Sequence, residues 1–433
     1  MFVSALRLVN FRSYCDAGVR FSAGLNVVVG ENAAGKTNLL EGAWFALRGA
    51  SPRTRREEKL ITWGERFARV ELELGGSSGP LQTVAVGFAP GQGKRVRWNG
   101  AEVTSLDDLR GRCQVFIFVP ESLLLVKGSP ARRRAHLDAF AAALDPQYFA
   151  AARDLQAALR QRNAQLVAVK HGAAAAALDP WDAQFARAAA ALGLRRRDLV
   201  AELHGRFAAT ATALAPARGS FSLQLVSQLT AVDYDEAALL DELRVRRPGE
   251  TARGLTLFGP HRDDLRFLEV AAGSDGGGSS GPLGEPRPIT GGARPPASSA
   301  AGRPVGPVCG PVDLPRGGRD LRLFGSQGEQ RAAVLALLLA EQELAAERTG
   351  EQGMLFLDDV MSELDDARRR LLVRRLAAAG QAIITTTNRH YFTADELAEA
   401  TVIELPLDGS VGAGDALPTA DAAGPAAPAL DAL

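Results

Sequence analysis

The chain has 433 residues, 46% of them apolar and 23% charged. That is an ordinary globular composition, long enough for two or three domains around a sizeable core. Fifty Lys+Arg balance fifty Asp+Glu, so net charge gives no argument for a nucleic-acid partner, and any such argument has to come from local clusters. Cys15, Cys113 and Cys309 lie far apart, which speaks against a disulfide framework or a zinc site. With no apolar leader after MFVSALRLVNF and no uncharged run of 18 apolar residues, the chain is expected in the reducing cytoplasm, away from membranes.

Residues 2–9 read as a strand, followed by Asn10-Phe11-Arg12-Ser13-Tyr14, a second strand near 18–21, and the β-branched run Leu25 to Val29. Next comes Gly30-Glu31-Asn32-Ala33-Ala34-Gly35-Lys36-Thr37, which fits G-x-x-x-x-G-K-[ST]. Leu39, Leu40, Ala43, Trp44 and Leu47 follow at helical spacing. Strand, glycine loop and helix are the order a phosphate site needs. Glycines let the backbone aim N–H groups at an anion, and the helix N-terminus adds partial positive charge. Lys36 is placed to reach the outer phosphates and the Thr37 hydroxyl to ligate Mg²⁺. This pattern predicts a nucleoside triphosphate site.

Ser51 to Arg56 forms a basic loop, open to two readings: a solvated turn, or a contact to phosphate or DNA. Residues 67–74, 82–88 and 94–98 alternate as strands, Asn99-Gly100 signals a hairpin, and Val115 to Val119 is a buried strand ended by Pro120. From 130 to 215 alanine, leucine and arginine dominate, and two Asp-Pro pairs restart helices, which predicts a helical arm. Between 127 and 215 there are 13 Lys/Arg against 7 Asp/Glu. The triplets Arg132–Arg134 and Arg195–Arg197 are either solvated helix faces or, taken together, a DNA-facing surface. Strands at 221–226 and 254–258, with a helix at 234–245 between them, are expected to return to the head. His261, in the polar turn Gly259 to Asp264, lacks metal-ligand spacing and reads as packing. Residues 271–320 hold 22 Gly or Pro among 50 and read as a flexible insertion; the tail after 406 reads likewise as disordered.

Gly325-Ser326-Gln327-Gly328 precedes the helical stretch Ala332–Glu347. Ser326 and Glu329 make a plausible capping box, and the same bare helix start with a serine hydroxyl also suits a γ-phosphate. Met354 to Asp359 is an apolar strand ending in two acids, as a Walker B strand does, placing Asp358 in a Mg²⁺ shell and Asp359 where it can orient an attacking water. Ser362-Glu363-Leu364-Asp365 opens a helix to Leu376, and Ile383 to Asn388 is a further strand.

In their order, these motifs resemble the ABC-type ATPase heads of the SMC-like superfamily. Within it they are most similar to the RecF family, through Asn10-Phe11-Arg12, Asn32 to Asn38, Ser51-Pro52-Arg53-Thr54, Lys127-Gly128-Ser129-Pro130, Gly259 to Asp264, Gly325 to Gly328 and Leu357-Asp358-Asp359-Val360. The resemblance covers about 1–268 and 321–405. It implies an α/β ABC-type P-loop head with a mixed central sheet (1–128 and 321–405), a compact helical arm (129–248) and a return to the head (249–270). It implies a weak ATPase that uses ATP and Mg²⁺, forms an ATP-dependent homodimer on DNA at gaps, and assists RecA with RecR and RecO in repair, replication and the SOS response. In that picture Gly30, Asn32, Gly35, Lys36, Thr37, Asn38, Arg12, Ser326 and Gly328 hold nucleotide, Thr37 and Asp358 hold metal, and Lys36 and Asp359 are catalytic. No switch histidine follows the strand at 382–387; Thr386 or Thr387 stands there. The competing reading is the ATPase subunit of another machine, such as a transporter.

Overall fold

The computed structural model describes residues 1–76, 79–103, 112–215, 219–270 and 318–406. Five parallel strands lie at its centre in the order β14-β3-β13-β12-β8: β3 (Leu25–Val29), β8 (Val115–Phe118), β12 (Met354–Asp358), β13 (Ala382–Thr386) and β14 (Thr401–Glu404). All four pairings are parallel. Both faces are covered, so these strands are apolar almost throughout. Their alternate side chains divide between two cores. Val28, Ile117, Phe356 and Ile383 join one, and Val27, Phe118, Leu355, Leu357 and Ile384 join the other.

The first core is closed by α1 (Lys36–Arg48) and a six-stranded antiparallel sheet in the order β2-β1-β4-β5-β6-β7, comprising β1 (Phe2–Phe11), β2 (Tyr14–Arg20), β4 (Ala68–Gly75), β5 (Gln82–Ala89), β6 (Gly93–Trp98) and β7 (Ala101–Glu102). On β4, Ala68, Val70, Leu72 and Leu74 point inward while Arg69 and Glu71 alternate outward. Asn99 and Gly100, at φ 49° and 80°, make the expected hairpin turn. The α/β head expected from the motifs is what forms. Strand direction, however, is mixed between its two sheets and uniform within each.

The second core is filled by helices. They are the short α2 (Leu124–Lys127), then α3 (Pro130–Leu144), α4 (Pro146–Lys170), α5 (Asp179–Leu214), α6 (Glu236–Arg253), the short α7 (Leu321–Phe324) and α8 (Gln327–Thr349). Asp145 caps α4 ahead of Pro146, as the Asp-Pro signal predicts. From Glu329 to Gln342 every residue of α8 is buried, because it is wedged between the parallel sheet and α5. The arm therefore shares a continuous core with the head. Beyond β12, α9 (Asp366–Ala378) starts four residues later than expected, because Asp365 rather than Ser362 is its cap.

Two expectations are corrected. Residues 254–258 are not a strand. Helix α6 runs on to Arg253 and ends at Gly254 (φ 68°), held by Arg247 and Glu250, which pair with Asp182 and Arg162. The strands at 221–226 and beyond do not rejoin the central sheet either: β9 (Ser220–Val226), β10 (Asp264–Val270) and β11 (Gly318–Asp320) form their own antiparallel sheet beside α5. Of the expected insertion at 271–320, residues 318–320 are strand, and the rest lies outside the described residues, as does the tail from 407. Among the described residues no helix is long and apolar enough to cross a membrane.

Candidate nucleotide site

The carboxyl ends of β3, β12 and β13 lie side by side, and the loop 30–35 leaves β3 among them. Gly30 N–H donates to the Thr386 carbonyl at 3.2 Å, tying the loop to β13. Gly35, at φ 95°, begins α1 in a left-handed conformation, and a Cβ there would stand 2.8 Å from the Tyr14 hydroxyl. Both the backbone angle and the space call for glycine. Lys36 is buried, and its ammonium donates to the carbonyls of Gly30 and Glu31, each at 2.7 Å. Burial lowers its pKa, against the opposing charges of Asp359 and Asp358.

Thr37 Oγ1 donates to Asp358 Oδ2 at 2.7 Å, joining two motifs 321 positions apart. Thr385 Oγ1 donates to Asp358 Oδ1 at 2.7 Å and accepts the Asp359 N–H at 3.0 Å. Burial raises the Asp358 pKa, while these hydroxyl bonds oppose the rise. Asp359 sits at φ 45°, uncommon for a residue with a Cβ and a form of strain found at functional sites. Its Oδ2 accepts from Ser362 Oγ at 3.1 Å, and its buried Oδ1 has no partner among the described residues.

These groups surround a cavity of about 440 Å³. Of the residues expected there, Asn32, Gly35, Lys36, Thr37, Asn38, Asp358 and Asp359 line it, and Ala33, Arg53, Pro120 and Thr387 complete the wall. Gly30 lies behind it, its carbonyl engaged by Lys36. Arg12 does not line it. Its guanidinium is held by both oxygens of Glu41, at 2.9 and 2.8 Å, and by the Lys59 carbonyl. Ser326 and Gly328 stand apart from the cavity at the start of α8, where Ser326 and Glu329 form the expected capping box.

The whole site is thus a glycine loop at a helix start, a buried lysine, and a hydroxyl bonded to a strand-end acid. Comparison with known proteins gives the family. The model for the RecF/RecN/SMC N terminal domain matches residues 2–404. A DNA replication and repair protein RecF from Acidothermus cellulolyticus is 36% identical over 378 residues, 85% of this chain and 89% of that protein. The chain belongs to the RecF family. Another RecF, from Halalkalibacterium halodurans, is 34% identical over 94% of this chain and 98% of its own length. In fold, the chain is similar to a solved RecF–ATP structure described in the RecFOR pathway, with a TM-score of 0.69 at 24% identity, over 90% of this chain and 93% of that one.

Three residues outside the expected set of site residues also bear on this RecF-type site. Glu41 is fully buried and accepts from Arg12, Arg53 and Ser51; its only signal was a charge set among the apolar positions of α1. Arg53, from the basic loop, reaches the cavity wall, bonding Asn38 Oδ1 at 3.2 Å and pairing with Glu121 at 3.5 Å. Thr385 touches both acids. At the position expected to replace a switch histidine, Thr387 lines the cavity while Thr386 is buried and bonds Asn388.

Of the six arginines weighed as a DNA-facing surface, Arg133 and Arg196 are buried in ion pairs. Arg133 is buried and pairs with Asp264 at 2.7 Å. Arg196 is buried and pairs with Asp138 and Asp263 while also bonding the Pro260 carbonyl. Together with Arg134, which bonds the Asp263 carbonyl, they clasp the turn 259–264. Arg195 and Arg197 are part-exposed and paired with Asp145 and Asp198. His261 packs edge-on against Phe185, and burial pushes its pKa down to about 4, in keeping with a packing role.

Proposed function

We propose that the chain is a RecF-type DNA repair protein in which ATP acts as a switch. Bound ATP closes a homodimer on DNA at single-strand gaps, slow hydrolysis resets it, and RecR and RecO join it in helping RecA during repair and replication in the cytoplasm. Head (1–128 and 321–405) and arm (129–248) are the working parts in this reading. The observation that carries it is the Thr37–Asp358 hydrogen bond at 2.7 Å, which pre-assembles a hydroxyl and a carboxylate as ligands beside the glycine loop 30–35. That donor pair suits Mg²⁺, a hard cation served by oxygen ligands, and the cation would supply charge neutralisation at the outer phosphates. Lys36 would exchange its two loop carbonyls for phosphate oxygens, and the loop N–H groups of 33–37 would face the same anion. Arg53 adds a guanidinium at the wall. Asp359 Oδ1, buried and unpartnered, is the acceptor available to hold a water in line. A second helix start, at Ser326 and Gly328, would complete the site from the partner subunit.

Equilibrium nucleotide binding and turnover of two variants test the roles. Lys36→Ala is expected to lose ATP binding, because its ammonium acts on the ground state. Asp359→Asn is expected to bind ATP normally and stop hydrolysing it. Equal loss of affinity in both would refute the assignment. Turnover with and without duplex DNA separates a DNA switch from a transporter subunit, which DNA would not affect.

A further inference from the structure

Trp63 is 99% exposed, more than any other large hydrophobic side chain among the described residues. It is not on a loose tip. Glu65 N–H donates to the Thr62 carbonyl at 3.0 Å, closing a turn over Thr62, Trp63, Gly64 and Glu65. Gly64, at φ 89°, is the third residue of that turn, the position where a type II turn requires a positive angle. The base of the turn is fastened to the end of β1. Thr62 N–H donates to the Asn10 carbonyl at 2.9 Å, Arg12 N–H donates to the Leu60 carbonyl at 2.6 Å, and Ile61 bridges Phe11. An indole face is therefore presented to solvent on a rigid support, where it contributes nothing to the core.

The segment that carries it is rich in cations. Arg55, Arg56, Lys59 and Arg66 are exposed, and their side chains make no ion pair among the described residues. Of the three acids in the same segment, Glu57 is paired with Lys94, while Glu58 and Glu65 keep their charge, Glu65 accepting from the neutral Asn10 amide, so the four cations outnumber the unpaired acids by two. We propose that Trp63, with Arg55, Arg56, Lys59 and Arg66, is a stacking platform for an unpaired base of single-stranded DNA. The indole takes the base face and the free cations take the flanking phosphates, the combination by which single strands are held without sequence preference. Duplex DNA hides its base faces in the stack and would use only the cations. The proposal rests on the DNA-binding reading above and assigns it a surface. In the same basic loop, Arg53 lines the nucleotide cavity.

The test is equilibrium anisotropy of the full chain, with ATP, on a labelled oligothymidylate and on a duplex of equal length. Trp63→Ala is expected to weaken oligothymidylate binding about 5- to 100-fold and leave the duplex unchanged, and Trp63→Phe is expected to restore most of the loss. Arg55→Gln with Arg56→Gln should flatten the single-strand salt slope by about 1.4. Unchanged oligothymidylate affinity in Trp63→Ala overturns the platform, and so does an equal loss on both DNAs. Loss of ATP affinity instead would make Trp63 an adenine contact, and loss of self-association alone would make it a protein contact; either result also overturns it. A wild-type chain that binds no DNA at all would defeat the broader functional reading as well.

Discussion

Thr385 serves two acids with one hydroxyl, donating to Asp358 and accepting from the Asp359 peptide. It thereby fixes the metal-side carboxylate and holds the strained backbone of its neighbour. Replacing it by valine keeps the shape and leaves two buried polar groups unsatisfied, at about 1–3 kcal/mol each. Thr385→Val is therefore expected to lower the melting temperature and to cut ATP turnover at least tenfold, while Thr385→Ser, which keeps the hydroxyl, stays near wild type in both. Normal turnover in the valine variant would show that Asp358 and Asp359 are positioned without it. Glu41 follows the same logic from the other side of α1, where one buried carboxylate orients Arg12 and Arg53 together.

Among the elements, the joint between α3, α5 and the turn before β10 depends on buried ion pairs. Arg196 on α5 reaches Asp138 on α3 and Asp263 in the turn. Removing one partner of a buried pair strands the other charge, at about 3–5 kcal/mol, whereas exposed pairs are worth about 0–1 kcal/mol. In urea unfolding, Arg196→Leu should lower stability by about 3 kcal/mol or more. Arg195→Gln and Arg197→Gln, beside it in sequence, should each cost less than about 1 kcal/mol. Three equal effects would mean that the clasp does not hold the arm. A run of three arginines thus reads as one basic cluster in the sequence and as one buried clasp and two surface pairs in the fold.

For the whole molecule, the absence of Ser326 from the lining of the Lys36 cavity bears on assembly. Each chain carries a glycine-loop half-site and, elsewhere, a capped helix start with anion chemistry, so two chains related by a two-fold axis could complete two sites. Lys36→Ala and Ser326→Arg should each be inactive alone. When mixed, they can form a heterodimer in which one site carries both changes and the other carries neither, so ATP turnover should partly return. Light scattering must show dimers with ATP. Dimers without recovered turnover, or full activity of Ser326→Arg as a monomer, would rule out the shared site.

The head was legible from residues 25–48 and 354–388 because there local order is itself the chemistry: a buried strand, a glycine turn that only glycine tolerates, and a helix start must be consecutive to bind phosphate. Strand alternation at 67–98 and the Asp-Pro helix starts were legible for the same local reason. What only the tertiary structure decided involves residues distant in the chain. It separated the strands of the head into a parallel and an antiparallel sheet, with β9, β10 and β11 in a third, because alternate side chains of the same apolar strands face different partners. It buried Arg133 and Arg196 by bringing Asp138, Asp263 and Asp264 to them, which charge counting along the chain does not register. It also brought Thr385, Glu41 and Arg53 to the cleft and left Trp63 outside any core, since burial depends on what the rest of the chain packs over a residue.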